Sequence, residues 1–258
     1  MNKNLAEKLW IVAAPILQKV KSSRGRPEHH PKKTFLGALY VLENGLKWRC
    51  LPRKYGPTST VHGKFLRWIK AGIINEIFEA ARYVYLLKTD AFPNWLATDT
   101  SSCKAPYAKF SGKNPTDRAK QGIKKNILVD SRGAVLGVGA ASANQHDSKL
   151  FGEILDLAKP IKKAGLLIIA ADSAYDSAKL KQEAARRGIV LYAATNKRRN
   201  KDCPITRPKG RWIVEAAHSW FNNFRGIKTC YQKTKTVFVG CLQFVAAIHL
   251  LQKSLIFG

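Results

Sequence analysis

The chain has 258 residues, 45% of them hydrophobic, which excludes a disordered tail and allows one ordinary domain plus a smaller one. Lys and Arg number 45 against 17 Asp and Glu, a formal net charge of +28 spread along the whole chain. Such a field attracts a polyanion, and nucleic acid fits better than a membrane because no basic amphipathic anchor or lipidation motif is present.

The five cysteines are odd in number and lack C-x-x-C spacing, so they read as reduced thiols rather than a disulfide framework or zinc site. With Glu7 interrupting the first apolar stretch, the N-terminus does not read as a secretory signal, and the expected location is the cytoplasm.

In chain order, the first predicted element is a helix with Leu5, Leu9, Val12, Ile16 and Val20 at helical intervals. A basic loop over 21–33, marked by Gly25, Pro27 and Pro31, leads to a helix capped by Thr34 and carrying Phe35, Leu39, Leu42 and Leu46. A break from Pro52 to Pro57 precedes a helix capped at Ser59 or Thr60, with Val61, Phe65 and Trp68 inward and His62, Lys64, Arg67 and Lys70 outward. The pair is helix-turn-helix-like, and Lys64, Arg67 and Lys70 are the candidate DNA contacts. A further helix over about 73–88 completes an all-α domain assigned to residues 1–90.

From Asn94 the rhythm changes. Trp95 to Thr100 reads as a short strand ending near Asp99, and two strands follow over about 123–130 and 134–142. A helix over about 147–158 is expected to be capped by Asp147. The run from Gly165 to Ala171 is apolar on both faces, as in a buried central strand, and ends at Asp172. A helix over about 176–187, capped by Asp176, and a strand from Ile189 to Ala194 come next. The basic loop 197–209 then leads into a helix from Arg211 to Arg225. The segment Thr236 to Gln252 approaches membrane-spanning length but reads as a buried core helix. The order β-β-β-α-β-α-β-α predicts an α/β domain over 91–258: a ribonuclease H-like mixed sheet flanked by helices.

At about 100° per residue, Arg211, Glu215, His218, Asn222 and Arg225 share one stripe of the last catalytic helix, opposite an apolar face. Glu215 between arginines is either an ion pair or a metal-binding carboxylate. The layout favours the second reading, because Asp99 and Asp172 on strands can converge with a helix face. Three such carboxylates suit Mg²⁺ or Mn²⁺, and two ions can drive in-line attack on a phosphodiester.

Three local sequences sharpen this: Ala171-Asp172-Ser-Ala-Tyr175-Asp176, Gln145-His146-Asp147-Ser148, and the segment carrying Arg211, Glu215, Trp220, Phe224-Arg225 and Tyr231. With Gly25-Arg-Pro27, Gly45-Leu-Lys-Trp48-Arg49 and Phe65-Leu-Arg67-Trp68, they resemble the DDE transposases of bacterial insertion sequences over about 24–250. The resemblance implies a catalytic, metal-binding triad of Asp99, Asp172 and Glu215, with Arg211 matching the family's helix arginine. It also implies double-stranded DNA partners (element ends and target), a homo-oligomer on DNA, and a place on the bacterial nucleoid. Related transposases often carry Tyr three residues before that arginine and Lys seven after the glutamate; here the positions hold Pro208 and Asn222. Arg211 and Arg225 are expected to hold the scissile or terminal phosphate near the metals, Arg225 in place of the lysine; the alternative is that Arg211 only pairs with Glu215 one turn away and orients it for the metal. Readings from other classes are a non-catalytic DNA-binding protein and a metal-dependent nuclease without strand transfer.

Overall fold

In the computed structural model, residues 3–18, 29–89, 92–161, 165–197, 204–205 and 208–257 are described. Most of the basic loop 21–33, much of 197–209, and Val20, Gly25 and Pro27 lie outside them. The chain separates into two compact units: residues 1–90, 107–109 and 221–258 form one, and residues 91–106 with 110–220 form the other. The segment 221–258, assigned by chain order to the catalytic domain, therefore packs with the N-terminal helices.

The second unit is built on a mixed sheet. Its strands are β1 (Trp95–Lys104), β2 (Gly112–Lys113), β3 (Gln121–Asp130), β4 (Val135–Ser142), β5 (Leu167–Ala171) and β6 (Ile189–Ala193). The five long strands run in the order β4-β3-β1-β5-β6. β3 is antiparallel to β1 and β4, whereas β5 is parallel to β1 and β6. This is the ribonuclease H-like arrangement expected from the element order. The β3–β4 hairpin closes through Asp130, whose carboxylate accepts the backbone N–H groups of Arg132 and Ala134. Helices α5 (Phe151–Ala158), α6 (Ala178–Arg186) and α7 (Trp212–Asn222) complete this part of the chain.

β5 was legible because every residue but Ile168 is buried, as a strand with a parallel neighbour on each side requires. β1 extends five residues beyond Asp99, so Asp99 is within the strand rather than near its end. Two expected caps have other roles. His146, not Asp147, caps the turn before α5, and Ser177 precedes α6. Asp176 is instead buried and accepts from the Lys181 ammonium and the Asn196 backbone N–H.

The first unit contains α1 (Lys3–Gln18), α2 (Pro31–Asn44), α3 (Thr58–Lys70), α4 (Ile73–Lys88), α8 (Arg225–Lys228) and α9 (Lys235–Phe257). The inward stripe of α1 is Ala6, Leu9, Ala13 and Leu17, so Leu9 is inward as expected while Val12 and Ile16 are only partly buried. Pro31 opens α2 and His30 caps it by accepting from the Lys32 N–H. Thr34 lies inside the helix, fully buried, hydrogen-bonded to His29. α3 begins at Thr58, directly after Pro57 and ahead of the expected cap.

α9 is apolar almost all round, so it needs neighbours on most sides. It packs on α1, α3 and α4, with Phe244 at 4.9 Å from Phe35 and 5.7 Å from Phe65 between ring centres. A Cβ at Gly240 would come within 2.8 Å of Ile69, so only glycine lets α9 approach α3 this closely. Long and apolar enough to cross a membrane, α9 is here a core helix, 67% buried over its most apolar stretch.

The outward face of α3 needs one correction. Arg67 and Lys70 are exposed, but Lys64 is only 2% exposed. Its ammonium donates to the His29 carbonyl at 2.7 Å and lies over the Trp68 ring. His62 is half-buried and stacked on Trp48. Lys64 is thus a structural cation, leaving Arg67 and Lys70 as the accessible charges on this helix.

Candidate active site

Register brings the first two acids together. β1 and β5 run parallel up to the pair Ala97 and Ala170, and Asp99 and Asp172 each lie two residues further on. They therefore occupy matched positions, Asp99 within β1 and Asp172 one residue past the end of β5. At Asp172 the chain leaves the sheet, and its carboxylate caps the turn Ser173–Tyr175 by accepting from the Ala174 N–H at 2.9 Å.

α7 supplies the third acid through an arginine. Arg211, just ahead of the helix, donates from Nη2 to Glu215 Oε1 at 2.9 Å. Its Nη1 lies 3.8 Å from Asp99 Oδ2. One guanidinium therefore faces two carboxylates. Glu215 remains more than half exposed, while Asp99 is largely buried.

The electrostatics follow from this placement. Burial pushes the Asp99 carboxyl from an ordinary 3.8 up to about 6. A backbone hydrogen bond from Thr100 and the Arg211 guanidinium pull it down, while the charges of Asp172 and Glu215 push it up again. A desolvated carboxylate beside two others, with one guanidinium to offset them, favours a proton or an added cation. The donors are hard carboxylate oxygens, the chemistry that suits Mg²⁺ or Mn²⁺. Among the described residues, no three His, Cys, Asp or Glu side chains already converge tightly enough to enclose an ion. The side chain of Glu215 is turned to Arg211.

The expected stripe on this helix is not continuous. His218 is buried, its Nε2 3.4 Å from the Asp99 carbonyl oxygen. Burial, then the positive charge of the buried Lys125, lowers it to about 4, so it is neutral at physiological pH. α7 ends at Asn222. The chain turns at Asn223 and Phe224, and Arg225 opens the separate helix α8. Arg225 belongs to the first unit, where its backbone packs closely against Gly45 at the left-handed end of α2. Arg225 is thus exposed and lies past the end of the helix that carries Glu215.

Two further groups take part in contacts that the sequence did not announce. Asp147 accepts from Thr100 Oγ1 at 2.9 Å and from the Lys124 ammonium at 2.7 Å, placing a fourth carboxylate beside β1. The Tyr175 hydroxyl is buried without a hydrogen-bond partner among the described residues. Burial, together with the charges of Asp147, Asp172 and Asp99, keeps its proton in place. The tyrosine was visible in the motif that starts at Ala171. Thr100, however, is next to Asp99 on an alternating strand, and nothing local announced that it reaches Asp147.

Comparison with known proteins agrees with these features. The family described as "Transposase DDE domain" matches residues 92–250, and "Putative transposase of IS4/5 family" matches residues 5–78. A "Putative transposase for insertion sequence element IS402" from Burkholderia cepacia is 30% identical over 131 residues, 48% of this chain. An uncharacterized protein, y4sN, from Sinorhizobium fredii (strain NBRC 101917 / NGR234) is 30% identical over 74 residues, 28% of this chain. The matches span 60% and 54% of those two proteins. Among solved structures, a piggyBac transposase synaptic complex with hairpin DNA aligns over 99% of this chain and 72% of its own, with 10% identity and a TM-score of 0.45. The match over 92–250 takes in Asp99, Asp172 and Glu215 and the whole sheet, and by it the chain belongs to the transposases with a DDE domain.

Proposed function

We propose that this protein is an insertion-sequence transposase that binds double-stranded element ends, cleaves the DNA and joins the ends to a target. The observation that carries this is the placement of three carboxylates: Asp99 and Asp172 each lie two residues past the last pair of two adjacent parallel strands, and the Arg211 guanidinium faces both Asp99 and Glu215. Family membership supports it. Asp99, Asp172 and Glu215 would hold Mg²⁺ or Mn²⁺, in the two-ion arrangement known to suit phosphodiester chemistry. When bound, the metal would activate the attacking hydroxyl and stabilise the leaving oxygen. The protein's own contribution is positioning. Two acids are set by adjacent strands, and Arg211 holds Glu215 toward them. Arg225, exposed on α8, is assigned to the scissile or terminal phosphate of the DNA.

Asp172→Asn should abolish strand cleavage while leaving end binding within about threefold, since one carboxylate next to the sheet adds little to phosphate affinity. Cleavage that survives the change would overturn the triad, and a non-catalytic DNA-binding protein would show binding with no cleavage in the unaltered chain.

Residues 1–90 are assigned to end recognition, and the second unit, residues 91–106 and 110–220, to the chemistry. This reading makes the protein a homo-oligomer on DNA, acting on the nucleoid in the bacterial cytoplasm. Within α3 the corrected burial separates two lysines. Lys70→Ala or Arg67→Ala should weaken binding and reduce the salt slope by about 1 each. Lys64→Ala should leave the slope unchanged and destabilise the fold by about 1–2 kcal/mol, through loss of a charged hydrogen bond and buried stem. A flattened slope for Lys64→Ala with unchanged melting would contradict the burial argument.

A further inference from the structure

Tyr107 and Tyr231 are exposed, at 65% and 48%, and their ring centres stand 6.5 Å apart with a 33° tilt. Both belong to the first compact unit. Isolated exposed tyrosines are ordinary. This pair is held in place on both sides. Ala108 and Cys230, the adjoining residues, are buried, and the Lys109 N–H donates to the Lys233 carbonyl at 3.0 Å. The two segments are therefore pinned to each other while the rings remain in solvent.

The surroundings are basic. Lys109, Lys228, Lys233 and Lys235 are exposed, and there is no Asp or Glu between Thr100 and Thr116 or from Ala216 to Gly258. Aromatic faces set among cations match single-stranded nucleic acid, whose bases stack on rings while its phosphates meet the lysines.

We propose that Tyr107 and Tyr231 form a stacking platform for an unpaired base of the DNA, with Lys109 and Lys233 on its flanking phosphates. The assignment rests on the DNA-binding reading above and adds to it a preference for locally unpaired strand. It is independent of the acids, because none of these residues touches Asp99, Asp172 or Glu215 in the interactions described.

The test uses the full chain and two probes: a paired element-end duplex, and the same duplex with a short unpaired flank carrying 2-aminopurine. The unaltered protein should bind the flanked probe more tightly and change its fluorescence. Tyr107→Ala and Tyr231→Ala should each weaken binding to the flanked probe by roughly 5- to 150-fold, equivalent to about 1–3 kcal/mol. Affinity for the paired duplex should stay within about twofold, and Tyr231→Phe should retain the preference. No loss on either probe, equal loss on both, or a shift in oligomeric state as the main effect would overturn the platform. If the unaltered protein binds neither probe, the DNA reading beneath it falls as well.

Discussion

Changing Asp99 to Asn should abolish DNA cleavage and, in the metal-free protein, raise the melting temperature at pH 7.5. The fold raises the pKa of this carboxyl from 3.8 to about 6. The folded state therefore holds the proton more tightly than the unfolded chain does. The associated stability is fully present below about pH 4 and is lost as pH rises through 6. At pH 7.5 the ionised carboxylate costs on the order of 2 kcal/mol relative to a neutral side chain. Loss of the 3.8 Å contact with Arg211 works against the gain, but for a partly exposed pair it amounts to ~1 kcal/mol at most. The net effect is a rise of roughly 2–4 °C for a chain of this size. At pH 5 the advantage should shrink, because the native carboxyl is then largely protonated. Added Mg²⁺ should stabilise the unaltered protein and not the variant, since a metal that binds only the folded state stabilises it by mass action. Melting curves at the two pH values, with EDTA or with Mg²⁺, check all three statements. An equal gain at pH 5 and 7.5 would mean that the burial of charge is not what strains the site.

The same contrast between local and distant causes explains what the sequence revealed. β5 and the helix Ile73–Lys88 were legible because their apolar patterns are set by the whole environment of the element. Asp172 was legible because it directly ends such a run. Lys64 was not. Its spacing among exposed positions suggested solvent, but the deciding partner is a carbonyl thirty-five residues earlier. Asp147 looked like a helix cap because caps and ion-paired carboxylates share one local sequence, and Lys124 comes from a different strand. The periodicity of the α7 stripe ran straight through Asn222-Asn223-Phe224. Asparagines are weak helix formers, and the close seating of Arg225 on Gly45 belongs to a different packing unit. The elements that carry the three acids could therefore be read from the sequence, because each follows from its own local pattern. The supporting contacts around it depend on pairings between elements and became visible only in the fold.

Arg211 to Lys should keep the charge and lose the function. The guanidinium presents two nitrogens to two carboxylates, with Nη2 at 2.9 Å from Glu215 and Nη1 at 3.8 Å from Asp99. A planar fork can do this with one side chain, whereas an ammonium is a single point that must choose one partner. If the role of Arg211 is to hold Glu215 toward the strand acids, Lys cannot supply it. Cleavage should then fall about 100-fold, some 2.7 kcal/mol of transition-state stabilisation. Metal affinity, measured by Mn²⁺ titration, should fall with it, while affinity for element ends changes less than about threefold because the net charge is unaltered. A phosphate contact would give a different pattern. Lys is itself a competent phosphate ligand, so the substitution would be mild, and Arg211→Gln would weaken end binding and flatten its salt slope by about 1. The pair of variants separates the two roles, because only positioning depends on the fork and only phosphate binding depends on the charge. Full cleavage by the Lys variant would assign Arg211 to the DNA and leave Glu215 to be oriented by the helix alone.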